Sequence, residues 1–245
     1  MRNLLERRKG HLFWGKFCWR LGIYFTGLFL LALGVALTVK SDLGVGPGNL
    51  VAYSLSLIFQ VELGNMTTYV FLVYVLLQLL LLRKEFSVRN VLQIPFSFIY
   101  GQFVSFWVGQ LNALVLHTYY QRLLCIVLSV LVAALGLTLF LQADIVAMPA
   151  EGLLIAILHF HKRIKFSVLK VAYDSSCTVF AAVATWCCFG RIIGVREGSA
   201  ISAVFLGIVI GFYQKYLTGP LNRLCFLEEC KIEQEEERNE TSHCD

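Results

Sequence analysis

Two long apolar segments of this chain are each interrupted by a polar break, and the two breaks share the same residue pattern. The second copy, at residues 136–152, follows the first, at residues 34–50, by 102 positions. The residues that recur include Asp42 and Pro47 in the first copy, and Asp144 and Pro149 in the second. Because proline disrupts a helix interior but is accepted at a helix start, each copy predicts a long helix, a turn and a new helix. The repetition predicts a chain built from two related halves.

The composition of the chain indicates contact with lipid. Charged residues make up only 15% and hydrophobic residues 58%, whereas about 25% charged residues is usual in a soluble domain. Eight of the 16 acidic residues lie in the last 18 positions, a segment with the composition of a solvated extension. The basic residues are scattered and form no nucleic-acid footprint, so no nucleic-acid partner is expected. We expect an integral membrane protein whose surroundings are the lipid bilayer.

Six apolar runs are long enough to cross a bilayer, for which about 17 to 25 helical residues are needed. They are residues 21–39, 66–82, 91–111, 123–141, 166–189 and 199–217. Two shorter runs follow the breaks, at 50–61 and 152–160; twelve helical residues reach only about 18 Å, against about 30 Å of hydrocarbon. Six crossings put 16 of the 21 basic residues on the cytoplasmic side, and eight crossings put 14 there. The positive-inside rule favours six crossings with both termini cytoplasmic, and eight remain an alternative.

Three crossings and one short element in each half require the second half to enter from the opposite side of the membrane. Such inverted repeats are common in secondary transporters, where the substrate binds at helices interrupted by glycine or proline. The alternative is that both breaks are interfacial turns followed by helices that lie on the membrane surface. Polar backbone at membrane depth is tolerated only where protein or a water-filled cavity covers it. The transporter interpretation therefore requires a cavity at the breaks.

Two charged residues lie within the apolar run at 166–189. Lys170 and Asp174 are four residues apart, so on a helix they share one face and can neutralise each other. Charged groups in membrane segments are costly and often mark ion or substrate paths. The pair is predicted to be either a salt bridge that fixes helix packing or part of a transport path, in which Lys170 tunes Asp174.

Three segments carry a family resemblance. They are GLFLLALGVALTVKSDLGVGP from Gly27, KVAYD at 170–174 and GVREGS at 194–199. These segments resemble the YczE/YitT-like family of multi-pass bacterial membrane proteins, across roughly residues 20–217. The resemblance implies a location in the bacterial cytoplasmic membrane and, for some members, a transport-related role. The family commonly has an aromatic residue and an aspartate after the first proline, where Gly48 and Asn49 stand here, while Glu151 occupies the acidic position of the second copy.

Signatures of enzymes and metal sites are missing from the sequence. The chain has no Walker-type loop, no HExxH motif and no nucleophile elbow, so neither catalytic residues nor cofactors are expected. Most cysteines lie in or beside apolar runs, and those near the C-terminus fit no standard zinc spacing, so no metal is expected. A ridge of small residues permits close helix contact, either within the chain or in a homodimer. The ridge consists of Ser199, Ala203, Gly207 and Gly211.

The predicted fold is all-α, with about six transmembrane helices in two inverted three-helix repeats. Each repeat contains a short broken helix after its Gly/Pro turn. We expect a basic cytoplasmic flank at residues 1–20, the first membrane repeat at 21–113, the second at 114–217, and an acidic cytoplasmic tail at 218–245.

Two functions of different classes are consistent with this fold. The first is a secondary transporter of a small solute. The second is a non-transporting membrane scaffold or accessory protein, in which the polar groups are internal struts and the acidic tail recruits a partner. The residues expected nearest a translocation path are Asp42, Pro47, Asn49, Asp144, Pro149, Glu151, Lys170 and Asp174.

Overall fold

A computed structural model of the chain describes residues 2–83, 86–160 and 165–225. Side chains are described from Cys18 onward, except at positions 88, 167, 200, 201, 203, 204 and 218–225. The acidic tail predicted to recruit a partner lies largely outside the described residues. Within these ranges the secondary structure consists of nine α-helices. They are α1 (Arg2–Ser41), α2 (Pro47–Phe59), α3 (Leu63–Leu82), α4 (Val88–Val91), α5 (Gln93–Leu111), α6 (Tyr119–Ala143), α7 (Pro149–Phe160), α8 (Phe166–Phe189) and α9 (Glu197–Cys225).

The centre of the fold is the contact between α1 and α6, where glycines bring the two backbones together. A Cβ atom on Gly27 would lie 2.7 Å from the backbone nitrogen of Phe140. A Cβ atom on Gly136 would lie 2.5 Å from the backbone nitrogen of Leu31, and Gly34 is equally crowded by Ala133. Small residues at such positions let helices approach closely in membrane proteins. Any larger residue at these glycines would force α1 and α6 apart.

The predicted breaks occur where the sequence repeat places them. Helix α1 ends at Ser41 and α6 ends at Ala143, each directly before an aspartate with left-handed backbone, with φ of 55° at Asp42 and 42° at Asp144. Helices α2 and α7 then begin at Pro47 and Pro149. Proline suits the first helical position because its fixed φ matches the helix and its missing N–H would have no helical acceptor there.

The short helices pack against long helices from the opposite half of the sequence. Helix α2 packs on α8, and α7 packs on α3. Around the central pair, α5 packs on α1 and α3, while α9 packs on α6. Tyr24 of α1, Tyr100 of α5 and Phe140 of α6 are buried where these helices meet. The two halves of the chain therefore interlock and share one core.

Four helical segments of the described chain are long and apolar enough to cross a membrane. They are Cys18–Ser41, Leu63–Leu82, Arg89–Leu111 and Tyr119–Ala143. Six crossings were expected. Helix α8 falls outside the four although it is 24 residues long, and in α9 only Phe205–Leu217 forms a shorter apolar stretch. Polar residues such as Lys170 and Asp174 reduce the apolarity of α8. The four helices indicate a membrane protein, and the number of crossings beyond four stays a prediction.

The segment predicted as a basic flank at residues 1–20 begins the same helix as the first apolar run, because α1 is continuous from Arg2 to Ser41. Its location in the cytoplasm stays a prediction.

The described members of the predicted ridge on α9 differ in exposure. Ser199 is buried and its hydroxyl donates to the Gly194 carbonyl, whereas Gly207 and Gly211 are exposed, and a Cβ atom added at either would have no neighbouring atom within 4 Å. The side chain of Ala203 lies outside the described part, and a homodimer through this ridge stays a prediction.

The close contact of α1 and α6 predicts the effect of a single methyl group. We expect Gly136→Ala to destabilise the protein by about 1 to 3 kcal/mol, because the methyl group collides with backbone atoms that cannot move independently. Thermal unfolding of purified protein in detergent measures the change. Gly207→Ala is the matched control and should be neutral or slightly stabilising, because alanine favours helix over glycine. Equal behaviour of the two variants would contradict the close contact.

Candidate functional site

The first break, at Asp42, is held by two arginines from the second half of the chain. Arg122, near the start of α6, donates through Nη1 to Oδ2 of Asp42 at 3.0 Å. Arg196, just before α9, donates to the carbonyl oxygen of Asp42 at 2.9 Å. At the same end, Nζ of Lys40 donates to the carbonyl oxygen of Asn112 at 3.2 Å. The first break is therefore a polar junction of α1, α5, α6 and α9.

The second break, at Asp144, has a corresponding pair of arginines. Arg89 donates through Nη2 to Oδ1 of Asp144 at 2.7 Å and through Nε to the carbonyl oxygen of Ile145 at 2.8 Å. Arg20, at the middle of α1, donates to the carbonyl oxygen of Ala143 at 2.9 Å. The last carbonyls of a helix lack intrahelical partners and carry partial negative charge, which guanidinium groups satisfy.

The arginines were missed as site residues when the sequence was considered alone. A signal for two of them was available, because Arg20 and Arg122 are separated by the same 102 positions as Asp42 and Asp144. Sequence spacing cannot tell which aspartate an arginine reaches, since that depends on the antiparallel arrangement of α1 and α6.

A pocket of about 300 Å³ opens beside the second break. Its wall combines charged and polar groups from the break and α4 with the small and apolar face of α7. The lining residues are Leu82, Arg89, Asn90, Gln93, Asp144, Ala147, Gly152, Ile155, Ala156 and His159. Pockets that hold small molecules usually combine such an apolar wall with a few placed polar groups. The volume and lining are therefore suitable for a small solute.

Gln93 lines this pocket, and a second glutamine, Gln78, is hydrogen-bonded to it from behind. Gln78 of α3 is 1% exposed and donates through Nε2 to Oε1 of Gln93 at 2.9 Å and to the Pro149 carbonyl at 3.0 Å. Its own Oε1 is buried without a hydrogen-bond partner. A Cβ atom on Gly152 would lie 2.8 Å from this oxygen and 2.7 Å from Nε2 of Gln93. Glycine at 152 therefore gives the amides access to the pocket side of α7.

The glutamines were not predicted as site residues. Each was visible as a polar residue in an apolar run, but one amide in such a run is compatible with many packing roles. An unpaired buried amide oxygen is costly, at about 1 to 3 kcal/mol in proteins. A ligand or water that donates a hydrogen bond to Gln78 would recover part of that cost.

Glu151 lies in the first turn of α7, next to Gly152. Its Oε2 atom is inaccessible to solvent and has no hydrogen-bond partner. Lys170 and Asp174 of α8 lie close enough to interact electrostatically with the carboxyl group. Helix α7 is too short to be one of the candidate spans. Burial raises the pKa of the Glu151 carboxyl above its ordinary value, and the positive charge of Lys170 opposes this shift.

The predicted pairing of Lys170 with Asp174 is present. Nζ of Lys170 lies 3.2 Å from Oδ1 of Asp174, and both side chains are about one-third exposed, at 34% and 29%. Nζ also lies 5.4 Å from the centroid of the Tyr173 ring, a cation–π distance. The ring of Tyr173 in turn contacts that of Tyr74 on α3. The pair thus connects α8 to the side of α7 that carries Glu151.

The equivalent space beside α2 is filled by side chains, whereas a separate pocket of about 400 Å³ lies between α1, α5 and the start of α6, beside Lys40 and Arg122. Leu50 occupies the position in α2 that Gly152 occupies in α7, and it is fully buried in a cluster with Val45 and Ala181. Tyr53, the counterpart of Ile155, packs against the cluster and against Gly194. The large residues of α2 therefore occupy space that small residues leave open beside α7.

The eight predicted residues divide between the two ends of the structure. Asp42, Pro47 and Asn49 lie at the first break. The second break, its pocket and the adjoining α8 bring together Asp144, Pro149, Glu151, Lys170 and Asp174. The contacts of Asp42 and Asp144 therefore put the two breaks at opposite ends of the α1–α6 pair.

These features define the class of the molecule: an all-helical protein with four helices suited to crossing a membrane and a polar pocket at an interrupted helix. The chain belongs to DUF6198, a family of unknown function, whose sequence profile matches residues 18–215. No curated protein matches the chain. No solved structure matches it either. The resemblance to the YczE/YitT-like family stays a prediction.

The contacts of the arginines predict unequal effects of removing them. Arg89→Ala removes three exposed hydrogen bonds, to two carbonyl oxygens and a carboxylate, so we expect a loss of about 1 to 2 kcal/mol in unfolding free energy. Arg122→Ala is the matched variant at the other break. It removes one hydrogen bond to the carboxylate of Asp42 and should cost about 1 kcal/mol or less. Chemical or thermal unfolding of the two purified variants measures this order, and a larger loss for Arg122→Ala would contradict it.

Proposed function

We propose that the protein is a secondary transporter of a small polar solute in the bacterial cytoplasmic membrane. The observation that carries the proposal is the 300 Å³ pocket at the start of α7, whose wall includes Gln93, hydrogen-bonded to the buried amide of Gln78 behind it. Polar groups are expensive in a membrane protein and are kept where they line a path or a binding site. In this proposal the solute replaces water in the pocket and donates a hydrogen bond to Gln78.

The contacts at the breaks support the proposal of inverted repeats. Arg20 of α1 binds the end of α6, and Arg122 of α6 binds the end of α1, so an exchange of the two helices preserves the pattern. The short helices show the same symmetry, because α2 of the first half packs on α8 of the second, and α7 of the second half packs on α3 of the first. In such an arrangement, a pseudo-two-fold axis in the membrane plane relates the halves, as in many transporters.

The same contacts support two short helices that do not cross. If α2 crossed the membrane, the chain after α3 and α5 would reach Asn112 and Arg122 on the side opposite to Lys40 and Asp42. Lys40 is instead hydrogen-bonded to Asn112, and Arg122 to Asp42, so each pair lies on one side of the membrane. These bonds favour a helix α2 that does not cross. With α8 and α9 as further crossings, the chain has six, and the 24 residues of α8 reach about 36 Å, enough to cross.

The difference between the two short helices supports alternating access. The pocket beside α7 is open, while Leu50 and Tyr53 fill the equivalent space beside α2. A transporter exposes its site to one side at a time, and related halves can exchange the open and closed arrangements. With the N-terminus in the cytoplasm, the pocket faces the cytoplasmic side.

The scaffold alternative is supported by one observation. The ion pair of Lys170 and Asp174 is self-neutralising and connects to Tyr173 and Tyr74, which is suited to a strut between α8 and α3. This role needs no solute. It does not account for the open pocket, so we favour transport.

One-sided access predicts the labelling of two equivalent positions. On a cysteine-free background, Ala147→Cys places a thiol on the pocket wall, and Val45→Cys places one at the equivalent buried position of the first half. We expect a membrane-impermeant maleimide to label Ala147→Cys in inside-out vesicles but not in right-side-out vesicles. Val45→Cys should remain unlabelled in both. Labelling of Ala147→Cys from both sides, or of Val45→Cys at the same rate, would contradict a one-sided pocket.

Solute binding is tested by thermal shift with amino acids, sugars and nucleobases, which all carry hydrogen-bond donors. A solute at 100 times its dissociation constant stabilises the folded protein by about 2.7 kcal/mol. Gly152→Val should abolish the shift, because its side chain meets the amides of Gln78 and Gln93. Gly48→Val, at an exposed position of α2 with no atom nearby, is the control and should retain the shift. A solute that stabilises wild type and Gly152→Val equally would place binding outside this pocket.

A further inference from the structure

We propose that Glu151 is a proton-binding site, and that its proton couples the pocket to the transmembrane proton gradient. The coupling rests on the proposed transport function, whereas proton binding does not. The carboxylate gains one proton delivered through water and later returns it, with no other bond made or broken. Of the two positions that the sequence repeat makes equivalent, only Glu151 is acidic, because the first half has Asn49 there.

The argument begins with the unsatisfied carboxyl oxygen. Oε2 of Glu151 is buried without a hydrogen-bond partner, although α7 is surrounded by α3 and α8. A charged carboxylate is far more costly to bury without a partner than a neutral carboxyl group. The free-energy difference favours the protonated form in this conformation.

The neighbouring cation is already engaged. Lys170 lies 3.2 Å from Asp174, and together these two side chains carry no net charge. Lys170 attracts Glu151 electrostatically, and Asp174 repels it. Arg89, the described cation that lines the adjoining pocket, is bound to Asp144 and Ile145. The described surroundings of Glu151 therefore supply one cation for two carboxylates.

Among the described residues, the other titratable groups on the helices around Glu151 are tyrosines and the buried thiol of Cys177, beside Lys170 and Asp174. Tyr100 of α5 interacts electrostatically with the Glu151 carboxyl. Tyr74 of α3 and Tyr173 of α8 contact each other beside the Lys170–Asp174 pair. Neutral phenols supply no positive charge. They leave protonation, or a cation from solution, as the ways to neutralise Glu151.

The position of Glu151 provides the link to the pocket. Glu151 and Gly152 are adjacent in the first turn of α7, one directed toward α8 and the other lining the pocket wall. A movement of this turn that closes the pocket therefore also changes the distance from Glu151 to Lys170. A shorter distance stabilises the carboxylate and releases the proton, and a longer distance favours uptake.

Proton binding is tested by the pH dependence of the melting temperature of the full chain in detergent. A carboxyl group with a raised pKa in the folded state binds more protons than the unfolded chain, so stability is highest at low pH and falls as pH rises through the folded pKa. We expect wild type to lose stability as pH rises from about 5 to about 8, and Glu151→Gln to lose most of this dependence. Glu197→Gln, at a half-exposed acid of α9, is the control and should follow wild type.

The alternatives give different outcomes. A pH dependence unchanged in Glu151→Gln would overturn the proposal. Stabilisation of wild type at pH 8 by sodium chloride, but not by choline chloride, with loss of this effect in Glu151→Gln, would also overturn it and assign the site to a metal cation. If Glu151→Gln does not fold, infrared spectra of wild type and Glu151→Asp test whether Glu151 binds a proton. A protonated-carboxyl band that titrates and is shifted in Glu151→Asp supports the proposal, and its absence in wild type contradicts it.

Failure of transport and failure of proton binding are separable. A titrating Glu151 in a protein that binds no solute would retain the proton site and remove the transport proposal. A solute bound in the pocket, with no titration at Glu151, would retain transport and remove proton coupling. Solute binding that releases protons from wild type but not from Glu151→Gln would support both.

Discussion

The backbone contact between α1 and α6 is the constraint on which the rest of the structure depends. Gly27, Gly34 and Gly136 leave no room for a side chain between the two helices. Because the helices are antiparallel, the end of α1 lies beside the start of α6, and the end of α6 lies beside the middle of α1. This arrangement puts Arg20 next to one break and Arg122 next to the other. The polar contacts between the two helices at both breaks follow from this arrangement.

The arginine contacts explain how interrupted helices persist in an apolar fold. A break exposes carbonyl oxygens at the end of a helix, and such groups are costly where water is absent. At the second break, Arg20 and Arg89 satisfy carbonyls of Ala143 and Ile145, and Arg89 also neutralises Asp144. Most described polar groups of the breaks are thus paired among themselves, with Nε of Arg20 an exception. Beside the second break, Oε1 of Gln78 and Oε2 of Glu151 are also buried without a hydrogen-bond partner, and there a solute and a proton would have a large effect.

The two halves of the structure differ in packing and in charge at equivalent positions. Helices α2 and α7 begin alike, with proline after a left-handed aspartate, but their inner faces differ in size. Leu50 fills space on one side, and Gly152 leaves space on the other. Interiors are close-packed, so a change from leucine to glycine at one position is enough to decide whether a cavity forms. Asn49 and Glu151 differ in charge in the same way, so the two halves have unequal chemistry.

The sequence by itself determined the helical class, the contact with lipid, the two breaks and the i, i+4 pair of Lys170 and Asp174, because these depend on composition and local spacing. It did not locate the pocket or its amides. Gln78 and Gln93 come from different helices and meet only after α3, α5 and α7 pack together. It also did not assign Arg89 to Asp144, a contact that joins positions 55 residues apart. Local spacing cannot encode which distant helix faces fill space and which leave it, so only the tertiary structure decided where the candidate site lies.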